Sequence, residues 1–464
     1  MWFRSDLRVA DNPALHAARA AGLVEGCFLV SEAQWRTHDH GERKLAFLRR
    51  CVASLSATLA ALGIPLHVIE VPWFCDAPQA LIALMQGLGV SHLHFNAEYP
   101  LNELRRDRKV WRAVKASGFG CTRLDGSVVL PPGSVLTGTG EPYTVFTPFK
   151  RKWLGLLRAD CFTPFAIPQP CGDPIQPLKL PWNRDAEMLD AVEWPGGEDE
   201  AHHRLQRFCS DQLVRYAIDR DFPGLAATSR LSAYLSVGAI SPRQCLSRLS
   251  GLQTVEDSAW VNELIWRDFY AHVIAAFPHV SKGQSFQRQY DELPWESDPL
   301  GLAAWQTGTT GYPLVDAAMR QLNASGWMHN RLRMVTAMFL TKHLLIDWRH
   351  GERYFMRQLV DGDFAANNGG WQWSASTGTD AAPYFRIFNP AEQGKKYDAR
   401  GVFTRAMIPE LKNVPDRNLF EPWKSGLELD YPAPIVEHGF ARGRAIERFR
   451  SLASRRPTKG LKTP

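Results

Sequence analysis

Four short stretches in the C-terminal half of the chain hold residue types that can do chemistry together. Thr228-Ser229-Arg230-Leu231-Ser232 is a hydroxyl-rich turn that opens an apolar helix. Backbone N–H groups and hydroxyls at such a start can hold a phosphate, and a simple N-cap is the plainer alternative. In Glu263-Leu264-Ile265-Trp266-Arg267, a period of 3.6 places Glu263, Trp266 and Arg267 on one helix face. A carboxylate, a flat aromatic and a guanidinium can together receive a base. A surface Glu–Arg pair beside a packed Trp explains the same residues. Trp327-Met328-His329-Asn330-Arg331-Leu332-Arg333-Met334 puts Asn330, Arg333 and Met334 on one face. Its two Arg and its Asn need partners, because a buried unpaired charge is costly. A solvated helix face is the alternative. The fourth stretch, Asp361 to Trp373 (DGDFAANNGGWQW), combines acids, amides, paired glycines and two Trp. Glycines let a ligand approach the backbone, while acids and amides bind ribose hydroxyls and ring nitrogens. Such density suits neither a core nor a loop, so this stretch reads as functional.

Other catalytic apparatus is missing from the sequence. No nucleophile–base pair stands out. The eight cysteines are scattered singly, with no C-x-x-C pair and no histidines at zinc-finger spacing. They read as reduced thiols, mostly filling core, and no metal site is expected. There is no G-x-G-x-x-G dinucleotide fingerprint.

The elements that must position these residues change along the chain. Leu23–Val30 is an apolar, strand-like run. Leu45, Leu48, Val52, Leu55, Leu59 and Leu62 then recur at spacings of three and four, the pattern of one helix face, which Gly63 ends. Pro65–Val71 and Val90–Asn96 read as strands, Pro78–Leu88 and Leu101–Ser117 as helices. This alternation predicts a parallel sheet with flanking helices. From Pro131 to Glu200, Pro and Gly interrupt any period (LPPGS, PQPCGDPIQP, EWPGGED), which predicts a long connector. From Ala201 onward helical spacing dominates, with long helices expected over Ala259–Phe277 and Leu314–Leu345 and no run of strands.

The 464 residues are too many for one compact core and predict two or three domains. With 45% hydrophobic and 22% charged residues, the composition is that of a globular protein. No apolar run approaches the ~20 residues of a membrane helix, and MWFRSDLRVADN has no secretory h-region. The expected location is the cytoplasm, with no membrane partner. A net charge of +6 is compatible with nucleic acid without requiring it. Sixteen Trp exceed the usual share; most fill core, and such rings also stack on bases and flavins.

In their order and separations, TSRLSAYLSVGAISPRQ, NELIWRDFY, GYPLVDAAMRQL, GWMHNRLRM, DGDFAANNGGWQW and TGTDAAPYFRIFNP resemble the photolyase/cryptochrome family, in particular its class I cyclobutane pyrimidine dimer photolyases of bacteria. The resemblance runs from about Trp2 to Phe449. It implies an α/β antenna domain over 1–130, an interdomain linker over 131–200, and an all-α domain over 201–464 that binds FAD and DNA. It also implies a monomer acting on UV-damaged DNA. Light-excited, fully reduced FADH⁻ would lend an electron to open the cyclobutane ring.

By matching positions, Tyr216, Thr228, Ser229, Leu231 and Ser232 would hold the phosphates and ribitol of FAD. Arg333, Asp361 and Asp363 would lie against its isoalloxazine and adenosine parts, and Asn367 would face flavin N5. Glu263, Asn330 and Arg331 would contact the flipped dimer, with Trp266, Met334 and Trp373 walling its pocket. Arg267, Arg220 and Arg386 would complete the DNA contacts. Trp371, Trp348 and Trp295 match the family's electron relay. His38, Asn102, Glu103 and Lys282 match the positions that hold a 5,10-methenyltetrahydrofolate antenna. Family members carry apolar residues before W-F-R-x-D-L-R, whereas here Met1 directly precedes Trp2, which predicts a shortened first strand. Within the family, a cryptochrome usually differs at the position of Asn367 and has a long tail after the position of Phe449, where this chain has the short basic SRRPTKGLKTP. A (6-4) photolyase places His at the positions of Asn330 and Met334. A reading outside the family is a helical nucleic-acid-binding protein with a nucleotide-binding domain, which absence of bound flavin would favour.

Overall fold

The computed structural model describes residues 1–181, 190, 192–249 and 258–454. Part of the expected connector, 182–189, and the basic stretch after Ser454 lie outside the described residues. The chain divides into two compact units. The first comprises Met1–Ala217, Ala227–Ser281 and Met356–Ala366, and the second Ile218–Ala226, Lys282–Phe355 and Asn367–Pro464.

In the first unit, β1 (Trp2–Phe3), β2 (Gly26–Val30) and β3 (Leu66–Glu70) form one parallel sheet in that order. The strands β4 (His92–Asn96) and β5 (Gly120–Leu124) pair in a second parallel sheet, with Phe95 opposite Arg123. Parallel neighbours need crossovers, and the helices Pro13–Ala21, Glu42–Ala61 and Leu101–Ala116 supply them. A single apolar cluster joins Trp2, Leu29, Leu81, Phe95, Val110 and Val114 across strands and helices. The expected strand beginning at Leu23 starts at Gly26 instead; Leu23 is 83% exposed. The helix expected from the leucine spacing is present over Glu42–Ala61. Behind it, Gly63 takes φ +66°, where a Cβ would also press on the backbone of Gly172 and Asp173 at 2.9 Å.

The expected connector contains a helix, Phe146–Leu156, which the Pro and Gly around it concealed. Phe146, Phe149 and Trp153 bury one face at helical spacing. Trp153 Nε1 donates to Asp268 at 3.0 Å, and the backbone N–H groups of Val129 and Leu130 donate to the same carboxylate at 3.0 and 3.1 Å. Asp268 thereby fastens the helix Ala259–Ala276 to the segment after β5, and burial pushes its carboxyl up to about 6.

The second unit is helical, with no strand among its described residues. The single long helix expected over Leu314–Leu345 is divided. Pro313–Ser325 ends at Gly326 with φ +72°, a left-handed C-cap, and Asn330–Met338 follows. His329 Nδ1 caps the second piece by accepting from Arg331 N–H at 3.2 Å. A π-helical turn, Phe339–His343, ends it. Trp305 anchors the core, donating Nε1 to the Thr336 carbonyl at 3.1 Å and meeting the rings of Phe355 and Trp371.

Candidate functional site

The first unit brings two of the four stretches together. Ser232 Oγ donates to Asp361 Oδ2 at 2.6 Å across 129 residues of sequence. The helix after the hydroxyl turn, Ser232–Val237, has Leu231 at its N-cap and no side-chain capping bond. Capping therefore does not account for the hydroxyls of Thr228 and Ser229. Arg230 sits at φ +50° and pairs with Glu193 at 2.8 Å. Tyr216 and Leu231 are buried, Tyr216 edge-on to Phe208. Asp363 Oδ1 accepts from Ala366 N–H at 2.9 Å and so caps the start of Phe364–Ala375.

One residue here escaped the sequence reading. Lys44 is buried and donates Nζ to the carbonyl of Gly362. Burial lowers its pKa, and the carboxylates of Asp363 and Asp361 pull it back up. The signal was available: Lys44 continues the apolar face of Leu48, Cys51 and Leu55, where an unpartnered lysine does not belong.

The Glu263 helix presents its residues unequally. Trp266 lies flat on Phe146, centroids 3.7 Å apart and planes 2° apart, so one indole face is already covered. Arg267, expected at DNA, directs its guanidinium to the carbonyls of Ser127 and Leu235, the latter at 3.3 Å. It ties chain segments together in this structure. Glu263 is half-buried.

His38, Asn102 and Glu103 meet in the first unit. His38 Nε2 lies 2.9 Å from Asn102 Nδ2, and Nδ1 lies 3.5 Å from Glu103 Oε1. Behind Glu103 is a cavity of about 80 Å³ lined by Arg4, His40, Lys44, Glu98 and Arg106 among others. Burial raises the Glu98 carboxyl, but Arg106 at 2.5 Å and Arg4 outweigh it and hold it at about 2. His40 is kept neutral by burial.

In the second unit Asn330 is exposed at the start of its helix and Met334 is half-buried one turn on. Arg331 is paired with Asp221 at 2.8 Å and lies over the Tyr397 ring at 4.6 Å. Arg333 Nε donates to the Met328 carbonyl at 2.8 Å. Burial lowers His329 to about 4, so it is neutral at pH 7. Asn367 donates Nδ2 to the Glu352 carbonyl at 3.0 Å, and Asn368 donates to the Glu352 carboxylate at 2.8 Å. The backbone of this segment is thereby fixed while Asn367 Oδ1 keeps its acceptor capacity. Trp371 and Trp348 are buried; Trp295 is half-buried. Trp373 and Arg220 are half-buried, and Arg386 and Lys282 are exposed. No group of His, Cys, Asp or Glu among the described residues could hold a metal ion.

Two family models match the chain: "DNA photolyase" over residues 1–170 and "FAD binding domain of DNA photolyase" over residues 260–451. The deoxyribodipyrimidine photo-lyase of Salmonella typhimurium is 48% identical over 460 residues, covering 95% of this chain and 96% of that protein. The chain belongs to the photolyase/cryptochrome family. The Escherichia coli deoxyribodipyrimidine photo-lyase is 47% identical over 97% of the chain and 98% of its own length. Among solved structures, a bacterial class III photolyase from Agrobacterium tumefaciens superposes with a TM-score of 0.87 at 34% identity, covering 98% of this chain and 97% of that one. An archaeal photolyase from Sulfolobus tokodaii, described as holding two FAD molecules and implying a novel light-harvesting cofactor, superposes at 0.83 with 29% identity over 97% and 99% of the two chains.

The matched photolyase FAD segment contains Arg333, Asp361, Asp363, Asn367, Trp295, Trp348 and Trp371. The hydroxyl turn lies outside it, and the Ser232–Asp361 bond joins the two. Within the first unit, the hydroxyls of Thr228 and Ser229 and the carboxylates of Asp361 and Asp363 are group types that fit the phosphates and ribose hydroxyls of a dinucleotide.

Proposed function

We propose that the protein is a light-driven DNA-repair enzyme that splits cyclobutane pyrimidine dimers and carries FAD. The observation behind this reading is the 47–48% identity to deoxyribodipyrimidine photo-lyases over nearly the whole of each chain. The division into an antenna domain over 1–130, a linker over 131–200 and a helical domain over 201–464 belongs to the same proposal.

In this reading Tyr216, Thr228, Ser229, Leu231 and Ser232 hold the phosphate and ribitol parts of FAD, and Arg333, Asp361 and Asp363 hold the rest. Reduced FAD, excited by light, supplies the electron that opens the cyclobutane ring. The protein's own work is binding and electrostatics. Asn367 Oδ1 accepts from the flavin N5 edge, held in place by the Nδ2 bond to Glu352. Glu263 and Asn330 hydrogen-bond the polar edges of an extruded dimer, whose loss of stacking makes extrusion less costly. Trp266 offers its uncovered face, while Met334 and Trp373 fill space beside the ring. Arg331, paired with Asp221, contacts the dimer's polar edge beside Glu263 and Asn330, and Arg220 and Arg386 meet phosphates. Trp371, Trp348 and Trp295 would pass electrons from an external donor at the surface to an oxidised flavin. His38, Asn102, Glu103 and Lys282 take methenyltetrahydrofolate as antenna. The protein acts as a cytoplasmic monomer.

Cyclobutane dimers are favoured over (6-4) lesions because Asn330 and Met334 cannot titrate. Repair of a (6-4) lesion moves a proton and a group between bases and needs an ionisable partner in reach. The test is direct: purified protein shows flavin absorption and, once reduced, restores thymines in a dimer-bearing oligonucleotide in light but not in darkness. Absence of flavin, or of light dependence, overturns the reading.

A further inference from the structure

The helix Leu101–Ala116 has a second face that the proposed activity does not use. Arg105, Arg108, Lys109 and Arg112 recur along it at spacings of one, three and four, and Lys115 extends the row. All five are exposed, as is Arg123 on the edge strand β5. None of the six side chains has an ion-pair or hydrogen-bond partner among the described residues, whereas the buried Arg106 of the same helix is paired with Glu98 and Asp107. Their number equals the net charge of the whole chain, +6.

Within this face lies an open pocket of about 420 Å³ lined by Leu104, Arg108, Trp111, Arg112 and Arg123, with Asp107 at its wall. Trp111 is 46% exposed and has no ring partner among the described residues. Asp107 does not neutralise the pocket, because it is committed to Arg4 at 2.5 Å and Arg106 at 2.9 Å. Three guanidiniums, one free indole face and an apolar floor match the chemistry of a nucleotide within a strand: phosphates on the cations, a base on the ring. A duplex would offer the phosphates but no free base face.

We propose that the pocket formed by Trp111, Arg108, Arg112 and Arg123 is a binding site for single-stranded DNA, separate from the residues assigned to the dimer. It rests on the proposed function only in taking DNA, not RNA, as the strand. The test uses the full chain with fluorescein-labelled, undamaged oligodeoxythymidine, followed by anisotropy across salt concentrations. Trp111→Ala weakens binding at least about fivefold, the loss of one stacked base. Arg108→Gln, Arg112→Gln and Arg123→Gln together flatten the log–log salt slope by about 2. These exposed positions leave folding intact, checked by the parent Tm, and both variants repair a dimer-bearing duplex at the parent rate. Parental oligonucleotide binding by both variants overturns the proposal, as does tighter binding of oligouridine than of oligodeoxythymidine. A parent that repairs no dimer overturns the proposed function, while loss of oligonucleotide binding in Trp111→Ala still supports the site.

Discussion

Trp371→Phe separates two roles that a buried tryptophan can have. Trp371 is 2% exposed, edge-on to Phe355 at 4.9 Å and to Trp305 at 5.9 Å. Packing is tight enough that a Cβ on Gly351 would lie 2.1 Å from the indole. Phenylalanine keeps the six-membered ring in this slot and leaves a small void. A truncation of that size costs about 1–2 kcal/mol, against the ~5–15 kcal/mol that holds an ordinary fold. The variant therefore folds, with Tm lowered by a few degrees. Its effect on the relay is of another order, because phenylalanine is much harder to oxidise than tryptophan; a barrier raised by only 1.4 kcal/mol already slows a step about tenfold. Photoreduction of oxidised flavin, followed as loss of its absorbance under blue light with an external donor, falls at least about tenfold. Dimer repair by the chemically reduced variant keeps the parent rate. Parental photoreduction in the folded variant refutes the relay assignment. Equal loss of photoreduction and repair in the folded variant refutes the separation of roles.

Other outcomes follow from the same structure. Glu103→Ala removes a partner of His38, and retention of added folate falls about five- to hundredfold while FAD stays bound; equal folate retention removes Glu103 from the antenna site. Glu263→Ala slows dimer repair without abolishing it, since the electron donor remains; a rate in single-turnover repair equal to the parent's removes Glu263 from the dimer contacts. The Glu98 carboxyl, held near 2 against an ordinary 4.5, adds stability that is complete above pH 4.5 and lost as pH falls towards 2. Glu98→Gln thus lowers the urea midpoint at pH 7, and its deficit shrinks on acidification; a constant deficit contradicts the assignment.

Leucine spacing located the Glu42–Ala61 helix because burial of one face sets that period. The helix over Leu314–Leu345 was overextended because helix formers on both sides of Gly326 outweighed, in a window average, one residue able to take φ +72°. Phe146–Leu156 was missed for the opposite reason: prolines and glycines around it masked the three aromatics that anchor it. The candidate residues were legible through motif resemblance, but their contacts were not. Nothing in sequence joins Ser232 to Asp361 across 129 residues, commits Arg267 to the carbonyls of Ser127 and Leu235, or lays Trp266 on Phe146. Lys44 marks the boundary between these cases, since a lysine on an apolar face signals a partner without saying which.

The central claim is tested most directly by illuminating the fully reduced protein with two oligonucleotides that differ only in their lesion, and measuring restored thymines per photon absorbed. Repair of the cyclobutane dimer, absent in darkness, with the (6-4) product left unchanged, is the expected result. Efficient repair of the (6-4) product, or none of the dimer with the flavin fully reduced, contradicts the account.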